Sequence, residues 1–212
     1  MNNRIGLLSA VFVLASFPVL AQDYKLEAVA SAAPDVPTPY ASVLQASGHR
    51  ISGPGAVWCE VWLAKSLLLG PKSTDAAITL NVAQGSLLGV IRFPGKGADR
   101  RGQVIPAGLY TLRYSLFPVD GAHSGVAPQR DFALLTPIAA DPDPAARPAY
   151  EELIKWSGKA SGTPHPAVLS LETPPNGATA PSVVKEGEHD WVLTLKAADL
   201  TFSIIVVGKT EG

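Results

Sequence analysis

The sequence predicts an all-β domain: a single β-sandwich, jelly-roll-like, carrying one short surface helix. Three observations predict it. From Tyr40 onward, short apolar runs recur at intervals of about 8 to 15 residues, separated by Gly, Pro and Asp. Several of these runs alternate apolar and polar residues with a period of two, as half-buried antiparallel strands do. Only one segment carries a helical period instead.

The chain opens with Arg4, an apolar stretch from Ile5 to Leu20, and Val19-Leu20-Ala21 before the polar Gln22-Asp23. That order of charged, apolar and small residues is the pattern of a secretory signal cleaved after Ala21. Ser9, Ser16 and Pro18 interrupt the apolar stretch, which falls short of the roughly 20 residues a spanning helix needs. No Cys follows it for lipid attachment. The expected organisation is a signal peptide over 1–21, a flexible Pro/Ala-rich leader over 22–40, and a β-sandwich domain over 41–212. Localisation follows as periplasmic or extracellular, with no membrane span after cleavage.

Candidate strands are 41–47, 56–64, 76–82, 87–93, 108–117, 131–136, 166–172, 190–196 and 201–207. In 56–63, Val57, Cys59, Val61 and Leu63 point one way, and Trp58, Glu60 and Trp62 the other. In 108–116, Tyr110, Leu112, Tyr114 and Leu116 oppose Thr111, Arg113 and Ser115. Trp191, Leu193 and Leu195 oppose Val192, Thr194 and Lys196. Phe202 to Val207 has no alternation, which predicts a central strand covered on both faces. The helix is expected at 148–157. Pro148 suits a first turn, Glu151 and Glu152 suit the positive end of the helix dipole, and Tyr150, Leu153, Ile154 and Trp156 form an apolar stripe.

Composition narrows the partners. Without the signal, 16 basic residues face 18 acidic ones, so no basic stripe is available for a phosphate backbone, and nucleic acid is not expected. A single Cys can form no internal disulfide. Catalytic motifs fail on spacing. Gly89 and Gly95 are one residue too far apart for a phosphate loop, and Gly97 stands where Ser or Thr would bind magnesium. Gly121-Ala-His-Ser-Gly125 has His123 where a nucleophile elbow needs serine. Cys59 alternates onto the apolar face, where a thiol stays protonated.

Two polar groupings remain. His123, Arg130 and Asp131 sit in the Gly- and Pro-punctuated segment 120–132, and His165 lies between two prolines before the strand at 166–172. If the loops meet, His123, His165 and Asp131 or Asp120 supply imidazole and carboxylate ligands for a divalent transition metal, and hydrolysis is the chemistry such a site would serve. Otherwise Arg130 and Asp131 satisfy loop backbone and each other. The second grouping is the sheet face bearing Trp58, Glu60 and Trp62, where rings beside a carboxylate could hold a glycan. The competing reading has the helix at 148–157 covering that face through Tyr150 and Trp156.

The segments Arg92-Phe-Pro-Gly-Lys, Asp99 to Tyr114 with Ile-Pro-Ala-Gly-Leu-Tyr-Thr-Leu, His123-Ser-Gly, Arg130-Asp-Phe and Ser161 to Leu171 together resemble a group of exported proteins of environmental bacteria with no established activity. The Ile105 to Leu112 piece is also similar to a phrase in several secreted β-sandwich domains. The resemblance implies export and a β-rich fold, and carries no catalytic residue across. With no nucleophile, acid–base pair or cofactor loop surviving, the expected function is a non-enzymatic binding or accessory module of the cell envelope, needing no cofactor. Its partner would be a small ligand, a glycan or an envelope protein.

Overall fold

The computed structural model describes residues 23–119 and 129–209; the expected signal peptide and His123 lie outside the described residues. In chain order the strands are β1 (Lys25–Val29), β2 (Gly48–Gly53), β3 (Ala56–Leu63), β4 (Leu87–Phe93), β5 (Gly97–Ala98), β6 (Val104–Ile105), β7 (Gly108–Leu116), β8 (Asp131–Pro137), β9 (Val168–Glu172), β10 (Ser182–Glu186), β11 (Asp190–Ala197) and β12 (Leu200–Val207). Two α-helices join them, α1 (Thr38–Val43) and α2 (Tyr150–Ser161). None of the helices among the described residues is long and apolar enough to cross a membrane.

The all-β class holds, and all strands but the short β5–β6 pair form one sheet. Ten of them run in the order β1-β2-β3-β4-β7-β8-β9-β12-β11-β10, every pairing antiparallel. The sheet curls until β10 lies beside β1, nearly closing a barrel. The facing walls that a sandwich would build from two sheets are here two stretches of one sheet. Inward residues such as Val61, Ile91, Leu112, Leu135, Leu193 and Ile204 fill a common core. Alternation places them there. Tyr110, Leu112 and Tyr114 face inward along β7, as do Leu193 and Leu195 along β11. β12, flanked by β9 and β11, is buried from Phe202 to Val206.

The outer face is covered in two places. α2 lays Leu153 on Phe132, Leu134 and Val168, with Tyr150, Ile154 and Trp156 alongside. Leu153, Ser157 and Ala160, spaced at helical intervals, are its buried stripe. That stripe carries α2 past residue 157, where the sequence placed its end, to Gly162, whose φ of 67° supplies the left-handed cap. Elsewhere Tyr40 and Leu44 cover Trp62, Leu87 and Val90, with Val29, Ala33 and Val36 at the margin.

The stretches read as leader and as a strand at 41–47 are therefore structural in another way. Residues 25–29 pair with β2, and 38–43 are helical. Pro39 fits the first turn of α1, and Tyr40 and Leu44, one helical turn apart, are both buried. Segment 76–82 is a loop with one isolated bridge, Leu69 to Val82. β2 was not anticipated because its polar Gly-His-Arg-Ile-Ser-Gly shows no period; its pairing with β1 and β3 makes it a strand.

Candidate binding cleft

A cleft of about 300 Å³ opens on the outer side of the sheet where β3 ends and β4 begins. Ala64 and Leu87, both buried, line it from the sheet; the Ala64 amide donates to the Leu88 carbonyl at 2.9 Å, continuing the β3–β4 ladder. Val43, at the end of α1, lines one side and is tied there by the Lys65 amide, 2.8 Å from its carbonyl oxygen. Ser66, Leu67 and Leu68 add a second wall and Pro144 to Arg147 a third. The lining is mainly apolar and Arg147 is its charged side chain, the usual balance of a small-molecule site.

The 144–147 wall is irregular backbone, and a buried arginine fixes it. Arg113 lies on the outer face of β7, where the alternation predicted a half-exposed side chain, yet it is 0 % exposed. Its Nε and Nη2 each lie 2.8 Å from an oxygen of Asp141, which is also fully buried. Its remaining N–H groups donate to the carbonyls of Asp143 (2.7 Å), Ala146 (2.6 Å) and Gly85 (3.1 Å). Thr111 donates to Asp141 Oδ2 at 2.7 Å, and the Tyr40 hydroxyl to the Asp141 carbonyl at 3.0 Å. Burial by itself would lower the Arg113 pKa, but the Asp141 carboxylate holds it above the ordinary arginine value. The same burial, with Asp141 adjacent, pushes the Tyr40 hydroxyl pKa up. Gly85 closes the assembly: at φ +76° it packs against the Pro148 carbonyl, which would stand 2.6 Å from any added Cβ. One guanidinium thereby joins β7, the turn before β4 and the cleft wall.

Leu67 also lines a second concavity of about 310 Å³ with Leu69, Ala197, Ala198, Asp199 and Leu200. Leu68 and Leu69 are 50 % and 65 % exposed, although large apolar side chains are otherwise mostly inside. The run Ser66-Leu67-Leu68-Leu69-Gly70 fits neither alternation nor helical period. Three consecutive apolar residues between polar and Gly-Pro punctuation were the one sequence signal for this surface. Arg147, in the proline-punctuated run 142–148, gave none.

Asp131 and His165 are placed apart; His123 and Asp120, proposed with them for a metal, lie outside the described residues. Asp131 Oδ1 accepts from the Tyr114 hydroxyl at 2.6 Å and the Leu80 amide at 3.0 Å, and Oδ2 from the Thr79 amide at 2.8 Å. The Thr79 hydroxyl lies 3.2 Å from Oδ2 and 2.9 Å from Gln129 Oε1, so its one proton is shared between them. Arg130 donates to Asp75 at 2.6 Å and twice to the Phe117 carbonyl, at 3.0 and 2.9 Å. Both residues brace the 75–80 loop. His165 is exposed beyond the other end of β8: the register sets Phe132 against Ser170 and Leu134 against Val168. At roughly 3.3 Å per residue, Asp131 and His165 stand about 20 Å apart. Among the described residues no three His, Cys, Asp or Glu side chains come together as ligands.

Trp58, Glu60 and Trp62 do not share an exposed face. Ser52 pairs with Val57 and Ile51 with Cys59, so Trp58 is the extra residue of a bulge. The bulge breaks the alternation and turns Trp58 onto the core, with its ring 6.1 Å from Phe93 and its Nε1 donating to Val206 at 2.8 Å. Trp62 is 1 % exposed, under Tyr40 and Leu44 rather than under α2. Glu60 is claimed from both sides, 2.7 Å from Arg50 and 2.8 Å from Arg92. Register lines up Glu27, Arg50, Glu60 and Arg92 across β1 to β4 as a row of alternating charge.

Comparison of the chain with protein-family models, with curated proteins and with solved structures finds no match.

Proposed function

We propose that the chain is an exported, non-enzymatic binding or accessory module of the cell envelope, with its ligand seated in the cleft between α1, β3–β4 and the 144–147 wall. The observation that carries this reading is the pairing of a mainly apolar concavity with a wall held by the buried Arg113–Asp141 pair. Rigid walls reduce the ordering cost of binding. Supporting it, Arg130, Asp131 and Glu60, the charged residues that sequence reasoning singled out, are occupied in bracing loops and strands. Export is supported by the signal pattern over 1–21.

The test is the melting temperature of the protein from residue 22 onward against a panel of small apolar ligands and short apolar peptides. A ligand at about 100 times its Kd adds about 2.7 kcal/mol to stability. Ala145 is an exposed wall residue, and Ala145→Trp would fill the cleft from outside. The expected result is a stabilising ligand whose effect Ala145→Trp removes. A panel without effect, or one acting equally on Ala145→Trp, overturns the assignment of the cleft.

A further inference from the structure

We propose that the cleft takes an aliphatic chain carrying a single anionic head, a carboxylate, with the chain along Val43, Ala64, Leu67, Leu68 and Leu87 and the head at Arg147; this rests on the binding reading above. The chain follows from the lining: those five side chains are apolar, and Ser66 and Ser86 add only hydroxyls. The Ser86 hydroxyl reaches the Leu68 carbonyl at 3.5 Å, too long for a strong bond. Size agrees. A cleft of about 300 Å³ has room for about ten methylene-sized groups at roughly 30 Å³ each, the share of a water molecule.

The head follows from charge. Arg147 is exposed, lines the cleft, and among the described residues makes no hydrogen bond or ion pair. Every other arginine among the described residues has a carboxylate: Arg50 and Arg92 share Glu60, Arg100 has Asp190, Arg101 has Asp99, Arg113 has Asp141 and Arg130 has Asp75. Of the carboxylates near Arg147 along the chain, Asp141 is engaged with Arg113 and Asp143 with the Ala145 amide at 2.8 Å, while Glu151 and Glu152, in the first turn of α2, form no ion pair with it among the described residues. Lys65, beside Ser66, does not line the cleft; its ammonium donates to the Ser42 carbonyl at 2.7 Å. An apolar cleft whose rim holds one unanswered guanidinium selects an anionic amphiphile over a neutral or cationic one, because a planar carboxylate can accept two of its N–H bonds.

The experiment compares octanoate, octanol and octylammonium, all below micelle-forming concentrations, by calorimetric titration of the protein from residue 22 onward. Octanoate is expected to bind about threefold to tenfold more tightly than octanol, the span between an exposed ion pair and a hydrogen bond to a charged group, with octylammonium weakest. Lengthening octanoate to decanoate should tighten binding by up to about fourfold per methylene. Arg147→Gln should bring octanoate to the octanol level and leave octanol and the melting temperature unchanged. Equal binding of octanoate and octanol, or an unaltered octanoate affinity in Arg147→Gln, overturns the anionic head while the apolar cleft stands. If no octyl probe binds, the amphiphile is overturned, and the peptide arm with Ala145→Trp decides separately whether the cleft binds anything.

Discussion

Arg113 and Asp141, 28 residues apart in the chain, meet through two parallel bonds of 2.8 Å with both side chains at 0 % exposure. A bidentate pair out of water is a poor stabiliser compared with hydrophobic residues, but leaving either member alone is expensive. What the pair contributes is position, since the carbonyls of Gly85, Asp143 and Ala146 all converge on the same guanidinium.

Removing one partner exposes that dependence. Asp141→Ala should cost about 3 to 5 kcal/mol and lower the melting temperature by on the order of 10 °C in a chain of this size. Arg113→Met with Asp141→Leu should cost less than Asp141→Ala alone, because no charge stays buried. Urea unfolding of the three proteins checks the order. A double variant as unstable as the single one would mean that the backbone carbonyls, rather than the carboxylate, set the requirement for a cation.

Asp131 should behave as a brace. Tyr114→Phe removes one hydrogen bond to it and should cost about 1 to 3 kcal/mol. Asp131→Ala also orphans the Thr79 and Leu80 amides and should cost more. Zinc at millimolar concentration should leave the melting temperatures of the parent and of His165→Ala equal, as expected of an exposed histidine about 20 Å from the carboxylate.

Two carboxylates give stability opposite pH dependence. Burial by itself would raise the Glu60 pKa, but Arg92 and Arg50 hold it below the ordinary value, so its contribution is full above the unfolded pKa and lost as pH falls through the folded one. Glu60→Gln should flatten the loss of stability between about pH 5 and 3. Glu172 is the reverse. Burial, with Glu186 and Asp190 nearby, raises its pKa to about 7, and its Oε1 lacks a hydrogen-bond partner among the described residues. The folded chain then holds a proton that the unfolded chain releases near its ordinary value of 4.5, so stability should decline as pH rises from there through about 7. Glu172→Gln should remove that decline and be the more stable protein at pH 8. Melting curves from pH 3 to 9 read both effects.

Much of the sheet was legible because β3, β4, β7, β8, β11 and β12 write their inward faces as alternating or continuous apolar residues. β1, β2 and β10 were illegible for the opposite reason: Ile51 is the one fully buried side chain of β2, so pairing rather than periodicity makes it a strand. Trp58 was misread because alternation presumes a ladder without bulges. Of the cleft, only the run Leu67-Leu68-Leu69 left a trace. Its wall depends on Arg113 meeting carbonyls 30 and 33 residues away, and carbonyls are common to every residue, so no pattern of side chains announces that contact.

The seam between β1 and β10 sets how the molecule comes apart. In a closed ring each strand has two neighbours and none can leave first. Here two strands have one partner each, so fraying can start at either margin and travel inward one strand at a time. β1 lies at one margin and β10 at the other, six positions and three positions respectively from β9, where the run of chain neighbours meets its crossover. Amides of β7 and β8, deep in the strand order and roofed by α2, are then the last to exchange with solvent. The cleft, resting on β3 and β4, sits between the fraying margin and that slow centre, close enough to the first for a ligand there to slow the unzipping of β1 and β2.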